Sequence, residues 1–179
     1  MNNIDKTKHL TAIDRQEKIF RDWYLKGIES TYAATQKDNA GSPLMAYILS
    51  SCLIDSLAGY YQGRTKASGF TKNYLAFIDR YIRPLSSEVA DNLWQIRCNL
   101  VHDFTLPGSV SLSHNQSPLH GALTETGLVI NFDNLWDVIK KAFDKYFIEV
   151  RQSDELMEKF FIRCKALKTV GPVHTVFSG

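Results

Sequence analysis

Apolar residues recur at three- and four-residue spacing from about Asp14 to Gln36, with Phe20, Trp23, Tyr24 and Ile28 on one side and charges opposite. This predicts a first amphipathic helix, preceded by a polar, flexible lead-in over residues 1–13. The run "KDNAGSP" breaks it, and Ser42 with Pro43 offers an N-cap and first turn for a second helix reaching about Tyr61. The second helix is apolar nearly all round, which places it at the centre of a domain. Phe70, Tyr74, Phe77, Ile78 and Tyr81 mark the face of a third helix that stops near Pro84. A fourth, capped by Ser86 or Ser87, carries the stripe Val89, Leu93, Ile96 and Leu100 and ends near His102.

The pattern changes between residues 104 and 130. "LPGSVSLS" and "HGALTETGLVI" are short apolar runs divided by Pro-Gly and Thr-Gly, which predicts a small β-hairpin insertion. A long amphipathic helix follows over Leu135, Val138, Ile139, Ala142, Phe143, Tyr146, Phe147 and Val150. Ser153 or Asp154 caps a last helix, with Leu156, Phe160 and Leu167 expected inside; the tail, 169–179, has no clear period and is expected to be loosely held. The whole reads as one all-α domain over 1–179, a bundle of about six helices with a β insertion before the last two.

Composition narrows the options. At 179 residues, 44% apolar, 12% aromatic and 22% charged, the chain has ample material for one core. A formal charge of +2 provides no general field for nucleic acid or membranes, so any RNA binding must use a local patch. Cys52, Cys98 and Cys164 are odd in number and form no CxxC, which argues against disulfides or structural zinc and for a reducing, cytoplasmic setting. The polar N-terminus lacks the apolar stretch of a signal peptide. The most apolar run, "SPLMAYILSSCLIDSLAGYY", holds Asp55 and several serines in its middle, so a core helix is expected rather than a membrane span.

Common catalytic signatures are missing. The chain has no GxxxxGK[ST], no GxGxxG after a strand, no GxSxG and no HExxH. His114 and His120 read as surface histidines of the β insertion. Asp55 is more informative, because a carboxylate in an apolar helix must find a partner or give up its charge. It pairs or caps locally, or it orients a cation of a functional site.

Arg97 and His102 fall in the closing turns of the fourth helix, in "LWQIRCNLVHDFTLPGS". Cations there interact favourably with the helix dipole, which is sufficient for a purely structural role. With eight arginines and five histidines in the chain, the spacing by itself carries little weight. Five residue steps also separate the two by about 140° on a regular helix. Convergence on one phosphate is therefore expected only if the helix ends between them or a second copy supplies part of the site.

The helical arrangement with "IRCNLVHDF" closing the fourth helix resembles the HEPN superfamily, whose motif is an arginine, four to six residues, and a histidine. That motif maps onto Arg97 and His102 and onto no other pair. "SCLIDSLAGYY" is similar to the core helix of bacterial HEPN-like families, and "GLVINFDNLWDVIKKAFDKYFIEVRQSDELMEKF" to their closing helices, so the likeness runs from about Met45 to Phe160. It implies a helical homodimer with facing motifs, acting on RNA as a metal-independent, cofactor-free endoribonuclease of toxin–antitoxin, phage-defence or RNA-processing type. An antitoxin or nucleotidyltransferase partner belongs to that picture; a membrane does not.

By the same resemblance, His102 moves a proton for attack of a ribose 2′-hydroxyl while Arg97 holds charge on the phosphoryl oxygens, with Asn99, Asp103 and Asp55 in support. Imidazole as a residue type suits proton transfer near neutrality, and guanidinium suits phosphate through its fork. Catalytic members commonly have a polar residue after the arginine, whereas this chain has Cys98 there and Asn99 one place later. Either Asn99 substitutes, or the site binds RNA or a nucleotide without cutting. A protein-interaction module in which the pair merely caps a helix is the third alternative.

Overall fold

The computed structural model describes residues 3–38, 43–65, 69–114, 121, 123–125 and 127–168. Among them lie seven α-helices: α1 (Asn3–Ile19), α2 (Lys26–Asp38), α3 (Leu44–Tyr61), α4 (Phe70–Phe77), α5 (Ser87–His102), α6 (Phe132–Gln152) and α7 (Asp154–Ala166). A π-helical segment, Phe20–Leu25, joins α1 to α2, and a second, Ile78–Ile82, extends α4, so the bundle consists of six continuous rods. The fold is all-α with a small β insertion. Ser42 and the tail lie outside the described residues.

Two N-terminal expectations change. The lead-in over 1–13 is helical from Asn3, because His9 and Ile13 are buried and the helix packs on α6 and α7. The apolar stripe is also redrawn: Phe20, Leu25 and Ile28 are buried, whereas Trp23 and Tyr24 are 58% and 47% exposed. The wide π turn explains this, since it adds a residue to the turn and carries Leu25 rather than Trp23 or Tyr24 onto the inner face.

The central helix α3 packs against α2, α4, α5, α6 and α7. It is long and apolar enough to cross a membrane by composition, yet 56% of it is buried within the bundle. Its end is set by Gly63, at φ +63°. The Arg64 N–H bonds the Gly59 carbonyl at 2.9 Å and the Gly63 N–H bonds the Tyr60 carbonyl at 3.2 Å. This is the paired closure that a left-handed glycine permits after a helix, and it turns Arg64 back over the last turns of α3.

Helix α6 buries Leu135, Ile139, Ala142, Phe143, Tyr146, Phe147 and Val150 along one stripe, and the Asn131 side chain caps its start by accepting from the Asn134 N–H. Ser153 caps α7 in the same way through the Leu156 N–H. In α7 the inner positions are Met157, Phe160, Phe161 and Cys164; Leu167 lies beyond the helix end and is exposed.

The β insertion is more than a hairpin. Three strands, β1 (Val110–Ser113), β2 (Leu123–Thr124) and β3 (Gly127–Asn131), form a sheet of order β1-β3-β2. β2 and β3 make the expected antiparallel pair, but β1 lies parallel to β3, with Val110 opposite Leu128 and Leu112 opposite Ile130. Gly127, at φ +107°, is required here, since a Cβ on it would stand 2.2 Å from the Ser109 carbonyl oxygen. The buried Tyr47 hydroxyl lies 2.7 Å from the Ser113 carbonyl and 2.6 Å from the Ile130 carbonyl, which ties the sheet to α3.

Candidate functional site

Helix α5 turns Val89, Ala90, Leu93, Ile96 and Leu100 into the core. Arg97 follows Ile96 and therefore sits at the edge of the buried stripe, where α5 meets α3. Its guanidinium lies over the Trp94 ring at 5.4 Å, and Trp94 in turn stands 5.1 Å from the Tyr74 ring. Side chains of Arg97, Asp55 and Arg64 are only 13%, 16% and 8% exposed, whereas His102 is exposed. The site is thus a mostly buried charge cluster with an imidazole at its outer end.

Arg97 Nη1 and His102 Nε2 are 3.1 Å apart, although α5 continues as α-helix through His102. The expectation that the pair diverges on a regular helix is therefore corrected. Helical side chains lean toward the N-terminus, so His102 reaches back, and the long arginine covers the remaining arc. A second copy is not needed to bring the two groups together. Guanidinium only donates, so Nε2 is the acceptor in this contact, and the imidazole that fits it is neutral with its proton on Nδ1.

Asp55 stands behind Arg97. Its Oδ2 accepts from Arg97 Nη2 at 3.4 Å and its Oδ1 from Arg64 Nη1 at 3.5 Å. Asp55 is thus half-buried and ion-paired, and the group it orients is the arginine of the Arg97–His102 pair. Both distances are long for charge-assisted bonds, so the carboxylate is shared rather than committed to one partner. Arg64 also stacks on Phe70, 4.2 Å from the ring centre. Arg163 Nη1 donates to the Arg64 carbonyl at 2.7 Å, and burial together with the neighbouring Arg64 charge holds Arg163 below the usual arginine value. Gly59 leaves the room for this crowding: a Cβ there would lie 3.3 Å from Arg64 Nη2 and 3.4 Å from Arg163 Nε.

Two arginines thus share one carboxylate, and a third, Arg163, abuts Arg64. The cluster is cationic, and the Nε–H groups of Arg97 and Arg163 are buried without a hydrogen-bond partner among the described residues. Such a surplus suits an anion approaching from the His102 end. Cys52 shares the field: burial and then Asp55 push its thiol up, while Arg97 pulls it down. The Tyr74 phenol is also pushed up, chiefly by burial.

The other sequence-derived positions are less engaged. Asn99 is half-buried and contributes its backbone carbonyl, which accepts from the N–H groups of Asp103 and Thr105. Cys98 is half-buried and Asp103 is exposed. Among the described residues, neither the Asn99 amide nor the Asp103 carboxylate bonds to Arg97 or His102. His114 is exposed in its loop, and His120 lies outside the described residues. Arg64 and Arg163 escaped the sequence reading. The glycine-then-arginine step after an apolar helix was the available signal for Arg64; Arg163 carries none. No protein-family model, curated protein or solved structure matches the chain, so the meaning of this cluster rests on its own residues.

Proposed function

We propose that the chain is an RNA-acting module of HEPN type, in which Arg97 and His102 cut RNA without a metal. The observation that carries this reading is the 3.1 Å contact between Arg97 and an exposed His102, backed by Asp55. In the proposed step, the phosphate draws the Arg97 guanidinium off His102 Nε2, and the freed Nε2 takes the proton of a ribose 2′-hydroxyl, whose oxygen attacks the adjacent phosphorus. The bond from phosphorus to the 5′ oxygen breaks, and that oxygen takes up the proton His102 accepted, directly or through a water, leaving a 2′,3′-cyclic phosphate, a 5′-hydroxyl and a neutral imidazole. Arg97 stabilises charge on the non-bridging oxygens. Asp55 does not touch substrate; it holds the guanidinium in place. A cytoplasmic homodimer, with an antitoxin or nucleotidyltransferase partner, completes the proposal.

Binding of RNA or a nucleotide without cleavage is the second reading. It is favoured by Cys98 after the arginine, since a thiol cannot replace an amide's donors and acceptors, and by the slight exposure of Arg97. One assay separates them. In the presence of chelator the wild type should cut single-stranded RNA to cyclic phosphate ends. His102→Ala should lose about 10² to 10⁴ in rate with RNA affinity retained, and Arg97→Ala should lose both rate and affinity. Binding without cutting by the wild type supports the second reading. Neither activity, with His102→Ala losing only about 0.3 to 1 kcal/mol of stability and Arg97→Ala losing more because it leaves Asp55 short of a partner, returns the pair to a structural role.

A further inference from the structure

We infer that Phe104 is the base-stacking platform of this site, an inference that rests on the RNA reading above. Helix α5 ends at His102, Asp103 follows at φ −119°, and Phe104 takes the left-handed conformation at φ +53°. Left-handed backbone favours glycine and tolerates asparagine; a bulky side chain there is strained. The ring is also 68% exposed, more than any other large hydrophobic side chain described. Folding of the single chain thus receives nothing from this phenylalanine: the backbone prefers glycine, and the ring stays in water.

The turn that presents the ring is firmly held. The Asp103 and Thr105 N–H groups both bond the Asn99 carbonyl, at 3.0 and 3.2 Å, on one side. On the other, Leu106 packs against the core, Pro107 is buried, and the Pro107 carbonyl accepts from the Val110 N–H at 3.0 Å. Phe104 therefore projects from a closed turn, two residues and at most about 7 Å of backbone beyond His102. Phe104 thus lies one short turn from His102, whose ring contacts the Arg97 guanidinium; single-stranded nucleic acid uses such a combination, with charge for the phosphate and a ring for the base. Trp94 cannot serve instead, because it already lies against the Arg97 guanidinium and Tyr74. The exposed Asp103 carboxylate repels a phosphate at that place, so a nucleotide passing the turn presents its base to residue 104 and its phosphate to Arg97. A phenyl ring has no hydrogen-bonding group, so the platform accepts any base but needs it unstacked, which excludes a duplex.

The test is equilibrium binding of a short single-stranded RNA containing 2-aminopurine, in chelator, to wild type, Phe104→Asn, Phe104→Trp and Arg97→Ala. Stacking should quench the 2-aminopurine on the wild type. Phe104→Asn should weaken binding about 5- to 150-fold and abolish the quench, with a melting temperature no lower than wild type and an unchanged salt slope, since no phosphate contact is lost. Phe104→Trp should restore affinity and quench. Unchanged affinity in Phe104→Asn, alongside weaker binding by Arg97→Ala, overturns the platform and leaves the RNA reading standing. No RNA binding by any of the proteins overturns both. If sedimentation shows that Phe104→Asn breaks a dimer and affinity falls only with dimer content, the ring is a self-association contact and the inference is wrong.

Discussion

Replacing Asp55 with alanine removes the one carboxylate that holds Arg97 and Arg64 in the cationic cluster. At 3.4 and 3.5 Å, and at the effective dielectric near a protein surface, each pair has a gross attraction of about 5 kcal/mol. Most of that is offset by the cost of taking the charges out of water, since all three side chains are less than one-fifth exposed. What remains after truncation is the penalty of two guanidiniums facing each other without their acceptor. Arg97 keeps its contact with His102 and Arg64 keeps its stack on Phe70, which limits the loss. The net destabilisation should be roughly 1 to 3 kcal/mol, or about 2 to 4 °C in melting temperature per kcal/mol for a chain of this size. Urea titration followed by far-UV circular dichroism measures it directly. A cycle with Arg64→Ala should return a coupling of at least about 0.5 kcal/mol, because the two residues share one contact. An Asp55→Ala protein with its urea midpoint unchanged, or a cycle with additive losses, would falsify the shared-carboxylate account. Under the proposed function the variant should also bind RNA less tightly, as Arg97 loses its anchor, which a carboxylate serving only local stability would not produce.

Two further outcomes follow from shifted ionisations. Cys52 is exposed, yet burial and Asp55 hold its thiol up and Arg97 lowers it; alkylation at mildly alkaline pH should therefore slow in Arg97→Ala and quicken in Asp55→Ala, and equal rates mapped to Cys52 by mass spectrometry would detach it from the cluster. Tyr47, Tyr74, Tyr81 and Tyr146 are all raised above the ordinary value of 10.0, burial being the largest cause at each. Because the folded state is the one with the raised values, their contribution is full below about pH 10 and is lost as pH climbs above it. Phenolate absorbance of these residues should appear together with loss of helical signal, and ionisation without unfolding would contradict their burial.

The helices were legible because helical burial is periodic. The stripe Val89, Leu93, Ile96 and Leu100, the long apolar face of α6 and the Ser153 cap all follow from residue type and spacing. Asp55 announced itself for a related reason: a charge inside an apolar helix has few ways to exist. Where the local rule failed, a wider turn or a distant strand intervened. The π segment moved Trp23 and Tyr24 outward, and β1 chose a parallel partner across the insertion, which no turn signal specifies.

Residue type and order thus determined the helical segments from about Asp14 onward, that α3 is central, and that Arg97 and His102 lie at the end of α5, since these depend on neighbours within a few turns; the helical turns from Asn3 to Ile13 became visible only where they pack on α6 and α7. Only the folded arrangement decided that the two side chains meet, that Asp55 is the carboxylate behind them, and that Arg64 and Arg163 complete the cluster. The physical reason is reach. A helical projection fixes the directions in which Cα–Cβ bonds leave the axis, but a guanidinium ends several bonds away and goes where the facing helix places its acceptor. Asp55 stands 42 residues before Arg97, and Arg163 stands 99 residues after Arg64. Such pairings depend on how α3, α5 and α7 pack, which local spacing does not encode.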